Sequence, residues 1–207
     1  MQAIAVTAPK QVAIVDVPEP RMGPEDVLLE VRYVGLCGSD LNTYRGSFAL
    51  VSYPVIPGHE ISAVIADKGS KVPEGIHVGD QITLTPYTNC GVCPACRAGR
   101  PNCCQFNQTL GVQRDGALSH HFSIHYANVF RSPTLSLQEL ALVEPMSVGY
   151  HAANRGQVSE IDTVLAIGCG TIGMGVIAAA ARKGATVIAT DIDDDKLALA
   201  RRFGAQH

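Results

Sequence analysis

Cysteines at Cys90, Cys93, Cys96 and Cys104 form a C-x2-C-x2-C-x7-C run. Thiolates are soft ligands, and zinc in a closed structural site takes four such donors in a tetrahedral array. Closely spaced thiols wrap the ion with little further loss of chain entropy. Cys103 competes with Cys104 for the fourth position. Adjacent side chains of an extended segment point to opposite sides, so only one of the pair ligates easily, and local spacing does not choose between them. A redox dithiol would need a single C-x-x-C step, and nothing else in the chain suggests the electron transfer of an iron–sulfur protein. Arg97, Arg100 and Arg114 are scattered rather than striped, which argues against a zinc-ribbon nucleic-acid module. The expectation is a structural zinc lobe at about residues 86–106.

A second constellation is Gly168-Cys169-Gly170-Thr171-Ile172-Gly173, with Asp191 eighteen residues beyond the last glycine. In a strand–turn–helix unit, Gly168 allows the tight turn and Gly170 lets the backbone approach a pyrophosphate. Gly173 permits close helix–strand packing, and the helix N-terminus faces the negative charge. Glycines alone would be a weak signal. With a strand before, a helix after and an acid at the end of the next strand, the pattern points to a dinucleotide site built by Gly168, Gly170, Thr171, Ile172, Gly173 and Asp191. Asp191 can accept from a ribose 2′-hydroxyl and would repel a 2′-phosphate, favouring NAD over NADP. Asp193 or Asp194 is better placed to cap the next helix.

The elements that must hold these groups differ in character along the chain. Up to about Ala127, short runs rich in Val, Ile and Leu (Gln2–Val6, Val12–Val17, Val27–Val34, Glu60–Ala66, Asp80–Leu84) are separated by Pro- and Gly-containing breakers, predicting a compact, partly closed β-barrel. Ser119–Val129 also has strand-like spacing. Glu139–Ala153 reads as a helix with a boundary or kink near Glu144, because Pro145 follows it. Strand Asp162–Ile167, helix Met174–Lys183, strand Ala185–Thr190 and helix Asp195–Phe203 then give βαβα, the opening of a doubly wound sheet. Two parallel strands leave an apolar face uncovered, so a fragment, a truncated product or a surface supplied by another chain is expected.

Composition narrows the classes further. A formal charge of −3 gives no electrostatic reason to expect nucleic acid or an anionic membrane as partner. The longest apolar run, between Gly175 and Arg182, is too short to span a bilayer. The N-terminus lacks the basic start and apolar run of a signal peptide, so cytoplasm is the expected compartment. Seven clustered cysteines suit metal binding better than disulfides there.

Cys37-Gly38-Ser39-Asp40, Gly58-His59-Glu60, the cysteine lobe, Glu144-Pro145 and the glycine turn occur in that order. This ordered set closely resembles the zinc-dependent medium-chain alcohol and polyol dehydrogenases, over essentially the whole chain, which looks like the first three-fifths of a member. The resemblance implies a mixed α and β fold: a GroES-like catalytic domain over residues 1–150, then the opening part of a Rossmann cofactor domain over 151–207. It implies two zinc ions per chain. Cys37, His59 and Glu144 correspond to ligands of a catalytic zinc, with Glu60 beside the metal and ligating in some states. Cys90, Cys93, Cys96 and Cys104 correspond to the structural site, leaving Cys103 spare. Ser39 matches the hydroxyl that relays the alcohol proton. Asn42 departs from the histidine common three residues beyond that hydroxyl, and an amide cannot exchange a proton as imidazole does. Tyr44 and Phe48 are candidates to line the substrate pocket, with a place in the core as the alternative for either.

The implied reaction is hydride transfer from a secondary alcohol to NAD. A glutamate ligand and the segments Gly111-Val112, Asp115-Gly116 and Glu144-Pro145-Met146-Ser147 point to a polyol, sugar alcohol or sugar acid, with a homo-oligomer expected for the full-length form. The alternative is a non-catalytic zinc-binding fold or interaction fragment.

Overall fold

In the computed structural model, which describes residues 1–207, alternating apolar residues in the N-terminal segments pair as antiparallel strands. β1 (Gln2–Ala8) and β2 (Gln11–Asp16) form a hairpin. β3 (Asp26–Gly35), β4 (Glu60–Lys68), β5 (Gln81–Leu84), β6 (His121–His125) and β7 (Val129–Arg131) form one sheet in the order β6-β3-β4-β5-β7. Alternation buries Val27 and Leu29 of β3 against Ile61, Ile65, Ile82 and Ile124. Two register shifts in the β3–β4 pair bend the sheet. Bridges Ala3–Ser119 and Val6–Val55 tie the hairpin to the loops that flank it. The expected strand through Ser119–Val129 is interrupted by a 3₁₀ turn at Tyr126–Asn128, where His125 Nδ1 accepts the Ala127 N–H at 3.1 Å.

A short helix, α1 (Gly38–Arg45), lies where no helix was expected. It is eight residues long and polar, so no apolar stripe announces it. Its ends do carry signals. Asp40 Oδ2 accepts the Cys37 N–H at 2.8 Å, and Gly46 closes the helix in the left-handed region at φ 78°. α2 (Pro94–Arg97) is a single turn in the cysteine lobe.

α3 (Leu137–Arg155) runs through Pro145 as one helix, so of the boundary or kink expected near Glu144 the boundary is absent. Proline forfeits one helical hydrogen bond, but Pro145 is fully buried. The Ser147 hydroxyl donates to the Glu144 carbonyl at 2.7 Å. The N–H that proline lacks would have served the Ala141 carbonyl, so it is burial of the ring that offsets the loss. The chain divides into two compact units within this helix, Met1–Leu142 and Val143–His207.

In the second unit β8 (Thr163–Ile167) and β9 (Thr186–Thr190) pair in parallel, with α4 (Thr171–Arg182) between them and α5 (Asp194–Arg202) after them. Ala166, Met174, Ile177, Ala180, Val187 and Ala200 form their core. The C-terminal part of α3 packs onto α4 through two glycines. A Cβ at Gly149 would sit 2.5 Å from the Ile172 carbonyl oxygen, and one at Gly175 would sit 2.9 Å from that of Met146. Along β8, Ala166 is buried while Leu165 and Ile167 are exposed, the uncovered apolar face anticipated for a two-stranded sheet. No helix is long and apolar enough to cross a membrane.

Candidate functional site

The cysteine lobe has little core of its own, yet its loops converge. The sulfurs of Cys90, Cys93, Cys96 and Cys104 all lie within 4.8 Å of one another. Cys93 and Cys104 are 3.9 Å apart, close to the ~3.8 Å edge of a tetrahedron with Zn–S bonds of ~2.3 Å. The 3₁₀ turn Pro101–Cys103 brings Cys104 into this group and leaves Cys103 exposed beside the Asn102 amide. Backbone N–H groups aim at the sulfurs: Cys93 to Cys90 at 3.3 Å, Cys90 to Cys104 at 3.4 Å, and Phe106 to Cys104 at 3.3 Å. Donors of this kind favour thiolate. The N–H groups of Cys96 and Gln105 bring the Cys93 thiol down to about 6. Burial, followed by its sulfur neighbours, pushes Cys96 up to about 11. Four thiols this close cannot all ionise without a cation among them, so the donor set fits zinc.

A second cluster, in the first unit, joins Cys37, His59 and Glu60, whose ligand atoms also lie within 4.8 Å of one another. Cys37 stands at the N-cap of α1 and Glu60 opens β4. Gly58 adopts φ 105° just before His59, and a side chain there would strike the Leu118 amide. Gly35, opposite Glu60 in the β3–β4 register, leaves room for the glutamate, since a Cβ would overlap Glu60 Oε2. His59 hydrogen-bonds the Cys37 thiol and holds it below its usual range, helped by the Ser39 hydroxyl and N–H. Burial raises the Glu60 carboxyl, against the attraction of His59. A soft thiolate, an imidazole and a carboxylate in one pocket also suit zinc.

Asp40 is a member of this neighbourhood that the sequence reading overlooked. While its Oδ2 caps α1, Oδ1 lies 3.9 Å from His59 Nδ1, with both side chains only 7% exposed. Burial raises its pKa. A carboxylate behind an imidazole fixes ring orientation and tautomer. The signal was present: Asp40 stands three residues after Cys37, the spacing of a capping acid. Glu144, also buried, belongs to the second unit. Asn42 is exposed. Tyr44 lines an apolar cavity of 670 Å³ beside Cys37, with Leu36, Leu41 and Val12, whereas Phe48 does not border it.

The three glycines of the turn have three different surroundings. Gly168 adopts φ 90°, turning the chain at the end of β8. Gly173 lies so close to the Gly168 carbonyl oxygen that a Cβ would overlap it. Gly170 caps α4 with an ordinary φ of −72°, and a Cβ there would meet nothing within 4 Å. Its space is open, as a close-approaching ligand requires. Thr171 and Ile172 begin the helix. Asp191 closes the turn from the other side: Oδ2 accepts the Cys169 N–H at 2.6 Å and Oδ1 that of Asp193 at 3.1 Å. The Cys169 N–H is the main cause of its lowered pKa. Asp193, not Asp191, caps α5, accepting from Asp195 and Lys196.

A β-sheet domain carrying two compact thiol-containing clusters, followed by a glycine-turn βαβα unit, defines a zinc-type dehydrogenase architecture. The sequence pattern of the Alcohol dehydrogenase GroES-like domain matches residues 23–134, and the chain belongs to that family. It is similar to the sorbitol dehydrogenase of Bacillus subtilis strain 168, with 38% identity over 214 residues, covering 100% of this chain and 60% of that protein. It is also similar to the L-galactonate-5-dehydrogenase of Escherichia coli K12, with 34% identity over 191 residues, covering 92% and 56%. The crystal structure of the RspB alcohol dehydrogenase of Escherichia coli CFT073, complexed with NADH, superposes with a TM-score of 0.91 at 31% identity, covering 100% and 61%. The chain thus spans about three fifths of the length of these relatives, and its second unit is the opening part of a Rossmann-type fold.

Proposed function

We propose that this chain supplies the zinc-binding and pyrophosphate-binding portions of an NAD-dependent dehydrogenase that oxidises a secondary hydroxyl of a polyol, sugar alcohol or sugar acid. The observation that carries this reading is the pair of separate donor clusters on one domain, four thiols in one and thiol, imidazole and carboxylate in the other. Cys90, Cys93, Cys96 and Cys104 would hold a structural zinc. Cys37 and His59, with Glu60 beside them, would hold a catalytic one. When bound there, zinc supplies Lewis acidity that lowers the pKa of a coordinated hydroxyl.

The chain's own residues do the rest. The Asp40 carboxylate, 3.9 Å from His59 Nδ1, puts negative charge behind the ring and favours its orientation. Ser39 Oγ, which hydrogen-bonds the Cys37 sulfur, would accept and pass on the alcohol proton. Asn42 cannot take that proton further, so the relay continues through water or a ribose hydroxyl. Gly170 and the N-terminus of α4 receive the pyrophosphate. The remaining lone pairs of Asp191 accept from the ribose, and its charge, kept ionised by the Cys169 N–H, disfavours a 2′-phosphate. The relatives named for sorbitol and L-galactonate, and the neighbour complexed with NADH, support this substrate and cofactor class. The test is NADH formation by the complete reading frame against a panel of polyols and sugar acids, alongside its His59→Ala and Ser39→Ala variants. Turnover that survives His59→Ala would defeat the assignment.

A further inference from the structure

Away from both clusters, a cavity of 560 Å³ opens between β6 and the root of the cysteine lobe. Its lining includes Arg114, Asp26, Ser123, His125 and Asn128, over a floor of Leu110 and Ile124. Arg114 is half-buried and belongs to none of the molecule's ion pairs. Its position is fixed, because its carbonyl accepts the Gly111 N–H at 2.8 Å. The neighbouring Asp115 is turned away to accept the Ile56 N–H at 2.9 Å. Burial depresses the guanidinium pKa with no acid to oppose it. A partly buried arginine outside any ion pair is unusual, since desolvating a guanidinium costs free energy that a bound anion would recover.

A second polar group on the same wall is also unsatisfied. Ser123 Oγ is enclosed and makes no hydrogen bond. His125 accepts through Nδ1, so its proton sits on Nε2, 3.8 Å from Glu25 Oε2. The one carboxylate of the lining, Asp26, uses Oδ2 to accept the Gly23 N–H at 2.8 Å. It repels a bare carboxylate, but it can accept from a ligand that brings its own hydroxyl. Hydrogen phosphate and phosphate monoesters carry both features: oxygens for the fork of Arg114 and a P–OH for Asp26.

We infer that the Arg114 cavity is a binding site for a phosphate group, held by the Arg114 guanidinium, with the Ser123 hydroxyl turning in from its enclosed position and Asp26 accepting the phosphate hydroxyl. The site is independent of the dehydrogenase reading, because it shares no residue with either cluster or with the glycine turn. The test titrates the full chain with inorganic phosphate, with acetate, and with chloride at matched ionic strength, following the Arg114 Nε–H resonance by NMR and the heat by calorimetry. The expected result is saturable phosphate binding that moves the Arg114 signal, with acetate weaker and chloride without effect. Arg114→Gln should weaken phosphate at least tenfold, and Arg114→Lys, which keeps charge and stem but loses the fork, by several-fold. Ser123→Ala should weaken it by a smaller factor. No saturable binding to the wild-type chain would overturn the inference, as would a phosphate affinity unchanged in a folded Arg114→Gln or Arg114→Lys variant. Acetate binding tighter than phosphate would overturn the assignment to phosphate.

Discussion

The glycine turn allows stability and ligand binding to be separated by two single methyl groups. At Gly173 a Cβ would overlap the Gly168 carbonyl oxygen, a backbone atom that cannot swing away. Alanine in a helix is about 1 kcal/mol better than glycine, but forcing a methyl into a filled space costs ~1–3 kcal/mol and sometimes more. The net loss at Gly173→Ala is therefore up to about 2 kcal/mol, a fall in Tm of up to roughly 8 °C for a chain of this size. At Gly170 the new methyl meets nothing, and φ is ordinary. Alanine is a poorer N-cap than glycine by roughly 0.5–1 kcal/mol, while the unfolded chain loses ~0.4–1 kcal/mol of entropy advantage. These nearly cancel, so Tm should move by less than about 2 °C. If that open space admits a pyrophosphate, the same methyl obstructs it by ~1–3 kcal/mol, a five- to 150-fold rise in Kd for NAD. Thermal melts and NAD titrations on the two variants and the wild type provide the measurement. A Gly170→Ala protein that melts as early as Gly173→Ala, or that is stable and binds NAD like the wild type, would refute the reasoning.

Metal analysis should find about two zinc ions per chain, with Cys90→Ser removing one and His59→Ala the other. Loss of all metal in Cys90→Ser and none in His59→Ala would eliminate the second site. Gly149→Ala should lower Tm by several degrees despite better helix propensity, because its Cβ would stand 2.5 Å from the Ile172 carbonyl oxygen and the Val176 nitrogen of α4. An unchanged melt would show that the two helices separate freely. The Ser159 N–H and hydroxyl, at 2.7 and 2.8 Å, hold the Asp162 carboxyl below its ordinary range. A depressed folded pKa stabilises above the unfolded value near ~3.9 and is lost as pH falls through the folded one. Asp162→Asn should therefore melt earlier than wild type at neutral pH, with the gap closing under acid; a gap independent of pH would rule out the carboxylate as its source.

Features set by neighbours along the chain were readable from residue order alone. The spacing of Cys90, Cys93 and Cys96 and the strand–glycine–helix order around Gly168 are local: backbone dihedrals and short loops decide them, and β1–β5, α4, β9 and α5 fall near their expected places. The tertiary structure decided whatever depends on which distant segments meet. It selected Cys104 over Cys103 through a 3₁₀ turn that no periodicity marks. It brought Cys37 to His59 because β3 and β4 pair in a register that places Gly35 opposite Glu60. It revealed Asp40 behind His59, kept α3 whole through a buried Pro145, and left Arg114 facing a cavity outside any ion pair. Each of these outcomes turns on burial and cross-chain distance. Both are properties of packing, so identical residues could have served as caps, helix breakers or surface charges until the fold fixed their neighbours.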